Sequence, residues 1–154
     1  MNPEFMREAI RVARQNLAGG GGPFGSVVSR DERIVGRGWN RVTADNDPTA
    51  HAEVVAIREA SRELKSFSLE GCVIYCTCEP CPMCLGAIYW ARIGTVYYAA
   101  TRADAAGAGF DDAMIYDELA RPKARRRLAF AQGLREEALE LFAAWNAKPD
   151  KVRY

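Results

Sequence analysis

Two short stretches decide the fold: Thr49-Ala50-His51-Ala52-Glu53, and Glu79-Pro80-Cys81-Pro82-Met83-Cys84 some thirty residues later. Read together they make one metal site with an acid/base group beside it. Zinc takes nitrogen and sulfur ligands in a tetrahedron, and a catalytic zinc keeps one of its four positions open for water. His51, Cys81 and Cys84 supply three ligands, and two thiolates offset the double charge of the ion. Zinc lowers the pKa of a bound water from about 15.7 to roughly 7. The proton released needs an acceptor, and Glu53, two residues after the histidine, is placed to take it and return it to a leaving group.

Outward from these stretches, the local sequence supports the pairing. Asp47-Pro48 reads as an N-cap followed by proline at the first helical position, so a helix carrying His51 and Glu53 is expected to start there. Pro82 has the same look for a second helix, with Cys81 and Cys84 at the i, i+3 spacing of one face. Both ligand sets then sit in first turns, where the helix dipole favours anions and depresses thiol pKa. The competing reading is a structural zinc site. It needs a fourth protein ligand, which Cys72, Cys76 or Cys78 could supply.

The chain has 154 residues, enough to bury a full core without disulfides, and is read as one domain over residues 1–154. Hydrophobic residues make up 49% and charged ones 27%, an ordinary globular composition with no apolar run of membrane-spanning length. The stretch Met1 to Arg14 is amphipathic and contains Glu4 and Glu8, unlike a signal peptide. Five cysteines, two of them assigned to metal, suit a reducing cytoplasm better than a disulfide framework. A net charge of +1 gives no argument for a polyanionic partner.

In chain order, Phe5, Ile10, Val12, Ala13 and Leu17 recur at helical spacing until Gly19 to Gly22 stops the helix. Phe24 to Val28 and Ile34 to Trp39 read as strands joined by the turn Arg30-Asp31-Glu32-Arg33. Arg41 to Asn46 reads as a polar loop, and the helix after it runs to about Leu64. Val73 to Cys78 is a buried strand delivering the cysteines, followed by a helix to about Arg92, a strand from Thr95 to Ala100 and an amphipathic helix from Leu134 to Trp145. Strands separated by helices imply a partly parallel α/β sheet with the site at strand carboxyl ends.

His-x-Glu followed later by Pro-Cys-x-x-Cys is the signature of zinc enzymes that deaminate bases. On it the chain resembles the cytidine-deaminase superfamily of zinc hydrolases. Within that superfamily it is similar to the bacterial guanine deaminases over nearly its whole length. The further resemblance lies in Gly22-Pro23-Phe24-Gly25, Asn46 to Glu53, Cys78 to Arg92, Ala108-Gly109-Phe110-Asp111-Asp112 and the closing Tyr154. It implies a three-layer α/β/α fold with a central mixed five-stranded sheet, a zinc cofactor and hydrolysis of guanine to xanthine and ammonia. It also implies a homodimer in which the segment from about 134 to 154 swaps onto the neighbouring subunit, with Trp145 and Tyr154 in a lid.

The same resemblance assigns Glu53 to proton transfer with Asp112 assisting near the amine, and places Asn40, Phe24, Ala52, Trp90 and Tyr154 at the base. Each has an ordinary alternative. Asn40 can be a turn residue, Phe24 and Trp90 core aromatics, Asp111 or Asp112 the cap of a helix containing Met114 and Ile115, and Tyr154 a frayed end. Transfer-RNA adenosine deaminases share the histidine–glutamate segment and are the rival enzyme reading, with guanosine, s-triazines such as ammeline and other aminopurines as further substrates. Arg121, Lys123, Arg125, Arg126 and Arg127 form a basic cluster, read as a solvated face, so nucleic acid is not the expected partner.

Overall fold

The computed structural model describes residues 1–153, so the expected role of Tyr154 lies outside the described residues. The chain forms two compact units, residues 1–113 and 114–154. The first contains α1 (Pro3–Ala18), β1 (Gly25–Arg30), β2 (Arg33–Trp39), α2 (Val42–Asp45), α3 (Ala52–Leu64), β3 (Val73–Cys78), α4 (Pro82–Trp90), β4 (Thr95–Ala100) and α5 (Arg102–Gly107). Then follow α6 (Ala113–Ala120), a single 3-10 turn at Lys123–Arg125, and α7 (Arg135–Ala147). No described helix is long and apolar enough to cross a membrane.

Local chemistry explains the boundaries. Asn2 caps α1 by accepting the Glu4 N–H, Pro3 opens the helix, and the glycines from Gly19 end it. Between β1 and β2, Asp31 and Glu32 both adopt positive φ, the left-handed pair that matches a two-residue hairpin to strand twist. The segment read as a polar loop contains the short helix α2, held by an Arg41–Asp45 ion pair and ended by Asn46 at φ 50°.

The sheet has the order β2-β1-β3-β4, with β1 antiparallel to both neighbours and β4 parallel to β3. This is one strand fewer than the resemblance implied. Among the described residues nothing after β4 pairs as a strand. The extended stretch after the 3-10 turn, Arg126 to Gly133, contains no β-branched residue to favour one. Alternation along the strands builds a layer on each face. Val27 and Tyr75 pack with Met6 and Ala9 of α1, whereas Val28, Ile74 and Cys76 pack with Ala56 and Ala60 of α3 and Ile88 of α4.

The helices lie close on the sheet because glycines face alanines. A Cβ on Gly25 would overlap the Ala9 carbonyl of α1, and one on Gly36 or Gly38 would overlap the carbonyl of Ala56 or Ala52 in α3. The register sets Gly25 against Trp39 and Ser26 against Cys76. The start of β1 and the ends of β2 and β3 therefore share one edge of the sheet, together with the end of β4, and every loop that builds the site leaves from it. A side-chain staple adds to this packing: Glu8 of α1 accepts from Arg11 at 2.6 and 2.8 Å and from Arg37 of β2 at 2.7 Å. Those hydrogen bonds hold its carboxyl at about 2, below the usual 4.5.

Within the second unit, Arg126 donates to the carbonyls of Arg121 and Leu119 at the end of α6, and its guanidinium lies 5.5 Å from the Phe130 ring centre. Arg121 pairs with Glu118, and Lys123 also lies over Phe130. Three of the five clustered cations are thus engaged inside the unit.

Two outcomes are expected. Gly36→Ala forces α3 off the sheet and lowers stability by about 2 kcal/mol, read from urea unfolding. For Glu8 the folded carboxyl titrates near 2 and the unfolded one near 4.5. Its contribution is therefore fully present above pH 4.5 and is lost as the pH falls towards 2; Glu8→Gln should flatten the stability profile across that window.

Candidate active site

The two motifs deliver their ligands from helix starts that face each other. His51 is the N-cap of α3, in extended backbone, and Glu53 follows in the first turn. The helix thus begins later than Asp47-Pro48 suggested. The Asp47 carboxylate instead closes a local turn, accepting from the Thr49 N–H at 2.8 Å and from its hydroxyl at 2.7 Å. On the other side Cys81 is the N-cap of α4, Pro82 its first residue, and Cys84 lies three residues on.

The three donor atoms of His51, Cys81 and Cys84 lie within 4.8 Å of one another. His51 Nδ1 is 3.6 Å from the Cys81 sulfur and 3.5 Å from that of Cys84. Tetrahedral zinc with bonds of about 2.05 Å to nitrogen and 2.3 Å to sulfur requires a nitrogen–sulfur separation of roughly 3.6 Å, so the donors already stand where the ion needs them. Among the described residues no fourth side chain joins the group. Cys72 and Cys76 are buried in the core behind α3 and α4, and Cys78, although it lines the cavity, donates to the Thr101 carbonyl at 3.5 Å and lies outside the trio of donors.

A cavity of about 280 Å³ opens at this point. It is lined by His51, Glu53 and Cys81, by Phe24 and Asn40 from the ends of β1 and β2, and by Asp112 from the loop after α5. Sequence reasoning named all six. Glu53 is only 8% exposed. Burial raises its carboxyl above the ordinary range, and the charge of Cys81 adds to the effect. Burial raises Asp112 too, again with Cys81 contributing. Cys81 moves the other way, to about 4, through hydrogen bonds from Cys84 and His51. The site is therefore built to hold a thiolate and, next to it, carboxyl groups that keep a proton more readily than they would in water.

Several sequence alternatives resolve into shared duties. Asn40 is a turn residue as well as a wall residue: its side-chain oxygen accepts the Val42 N–H at 3.2 Å. The helix α6 is capped by Asp111, which accepts the Ala113 N–H at 2.9 Å, leaving that duty away from Asp112. Phe24 packs edge-on against Phe110, ring centres 4.8 Å apart. Ala52 is buried at the start of α3 and is not part of the cavity lining, and neither is Cys84. Trp90 is neither core nor lining; it is 70% exposed at the far end of α4.

Other lining residues escaped the sequence reading as site residues: Glu79, Arg102, Ala105 and Phe110; Cys78, considered there only as a fourth metal ligand, is a wall residue too. Glu79 accepts the Arg102 N–H at 3.1 Å, tying the cysteine loop to the start of α5. That helix carries a capping box from Thr101 and Asp104, a Thr-x-x-Asp pattern visible in the sequence.

Residues 1–100 match the family described as the cytidine and deoxycytidylate deaminase zinc-binding region. The chain is 50% identical to the guanine deaminase of Bacillus subtilis, covering all of both sequences. It superimposes on the X-ray structure of that species' guanine deaminase with a TM-score of 0.96 at 49% identity, over 100% of this chain and 99% of the other. It is also 34% identical to the tRNA-specific adenosine deaminase of Aquifex aeolicus, over 94% of this chain and 93% of that protein. A structure of guanine deaminase from Nitrosomonas europaea aligns at 28% identity and a TM-score of 0.68, over 94% of this chain and 84% of the other. With the ligand trio, the buried glutamate and these matches in agreement, the chain belongs to the cytidine and deoxycytidylate deaminase family of zinc enzymes.

Proposed function

We propose that the protein is a guanine deaminase that hydrolyses guanine to xanthine and ammonia. The observation that carries this is the cavity itself: a buried acid/base glutamate beside a three-ligand metal trio, with a side-chain amide, an aromatic pair and a second carboxyl on its walls. The full-length likeness to the Bacillus subtilis enzyme supports guanine over other bases.

His51, Cys81 and Cys84 would hold the zinc, which would supply an activated water at neutral pH. Glu53 takes the proton of that water as the new bond to ring carbon 2 forms, and gives it to the adjacent ring nitrogen. The remaining proton, from the hydroxyl now on carbon 2, passes through Glu53 to the exocyclic amine, whose bond to carbon 2 breaks to release ammonia as the carbonyl forms. Its raised pKa suits a group that must both accept and return a proton. Asp112 assists at the amine. Asn40 reads the purine edge with one donor and one acceptor, and Phe24 packs on the ring.

The outer face of α4 exposes Leu85, Tyr89 and Trp90, and α7 buries none of Leu139, Leu141, Phe142 and Trp145. Apolar surface of this kind is ordinarily covered by a partner. The proposal therefore includes a homodimer with the segment from about 134 to 154 swapped onto the neighbour, Trp145 and Tyr154 covering its site and Trp90 in the interface rather than on the base. Five free cysteines suit a reducing compartment, the cytoplasm.

Three results are expected. Glu53→Gln should keep zinc and fold while ammonia release from guanine falls by about a thousandfold or more; retained turnover would sink the mechanism. Removing zinc with a chelator, or by Cys84→Ser, should lower the melting temperature along with activity, because the ligand trio is left without its ion. Mixing inactive Glu53→Gln with inactive Tyr154→Ala protein should restore turnover if the lid acts in trans, since hybrid dimers then contain one intact site; a mixture that stays inactive rejects the swap.

A further inference from the structure

Asn16 sits near the end of α1, half-buried and absent from the cavity lining. Its amide nitrogen donates two hydrogen bonds, to the carbonyl of Gly22 at 2.8 Å and to that of Asn40 at 3.0 Å. The two acceptors belong to separate segments, the glycine loop ahead of β1 and the exit of β2. Each adjoins or is a residue that lines the cavity: Gly22 lies two before Phe24, and Asn40 is itself in the wall. Those segments also meet directly, with the Asn40 N–H donating to the Phe24 carbonyl at 3.2 Å. The result is a closed ring, Asn16 to Gly22, along the chain to Phe24, across to Asn40 and back to Asn16.

We propose that Asn16 is a positioning residue for the base-binding wall, setting the placement of Asn40 and Phe24 through this ring. The glycine loop is fitted to it. The Asn16 carbonyl accepts the N–H of Gly19 at 3.0 Å and of Gly21 at 2.9 Å, so the loop folds back over the end of the helix. A Cβ at Gly21 would overlap the Asn16 amide, whereas one at Gly20 would meet nothing within 4 Å. The requirement at Gly21 is thus space for this side chain. Neither aspartate nor a hydroxyl residue replaces it at position 16. An amide nitrogen has two hydrogens for two carbonyls, aspartate presents only acceptors to them, and a hydroxyl has a single hydrogen. Leaving two carbonyls without their donor loosens both segments, and a side chain that must match a purine edge tolerates little displacement.

This inference rests on the purine reading for what the wall touches, and its test separates the two. Asn16→Ala, Asn16→Asp and Gly21→Ala should each keep full zinc content. Each should raise KM for guanine about tenfold and change kcat by less than about threefold, the pattern of lost uniform binding. In an Asn40→Ala background most of the Asn16→Ala effect on KM should vanish, because a residue acting through Asn40 has little left to act on. Hydrogen exchange should quicken at residues 19–25 and at 40–42 and stay unchanged in the loop holding Cys81. Unaltered KM and exchange would overturn the proposal, and so would full additivity with Asn40→Ala or a parallel loss of kcat and zinc. If the wild-type protein leaves guanine untouched, the purine reading falls while exchange alone decides the tie: quickened exchange in the three variants upholds it, unchanged exchange rejects it.

Discussion

Everything in the site depends on two helix N-termini meeting over one edge of the sheet. His51 caps α3 and Cys81 caps α4, so each ligand stands where a helix presents unpaired N–H groups and the positive end of its dipole. That field steadies the Cys81 thiolate. It acts against the burial of Glu53, whose carboxyl is nonetheless pushed up because so little water reaches it. Without the metal, a thiolate, a second thiol and a buried acid crowd one corner. An ion held by the trio would offset that charge, which is the physical ground for expecting metal binding and folding to be coupled.

The packing beneath serves the same end. Glycines on β2 opposite alanines on α3 bring the helix axis close to the strand, and the helix start that carries Glu53 moves with it. A larger side chain at Gly38 would overlap the Ala52 carbonyl, one residue from both His51 and Glu53. The core and the chemistry therefore share a constraint: the spacing that lets α3 pack is the spacing that sets its ligand.

The metal trio, the helix reaching Leu64 and all four strands were legible in the sequence, because each rests on local spacing, a cap or a run of β-branched residues. What escaped depends on contacts between distant segments. Asp47-Pro48 looks like a helix start from composition alone, but the Asp47 carboxylate is captured by Thr49. Glu79 looks like a mere flank of the cysteine motif until its oxygen is seen on the Arg102 N–H. Asn16 looks like a polar position near a helix end, and only the antiparallel pairing of β1 with β2 brings Gly22 and Asn40 together above it. The fifth strand and the substrate-binding assignments of Ala52 and Trp90 came from likeness rather than from residue physics. The fifth strand is not present among the described residues, and the cavity includes neither Ala52 nor Trp90.

This division has a consequence for specificity. The ligands and Glu53 come from two short local motifs, and they suit hydrolysis of any amino group on an amidine-like ring carbon. The cavity walls around them are assembled from elsewhere, Phe24 and Asn40 from one pair of strand ends and Phe110 and Asp112 from the loop after α5, and in the proposed function choice among bases falls to these walls. Such walls can change while the metal motif stays fixed. Relatives at 50% and 34% identity are named for different activities, one for guanine and the other for tRNA adenosine. Reaction type is thus written in the helix starts, and substrate choice in the loops that the sheet edge gathers around them.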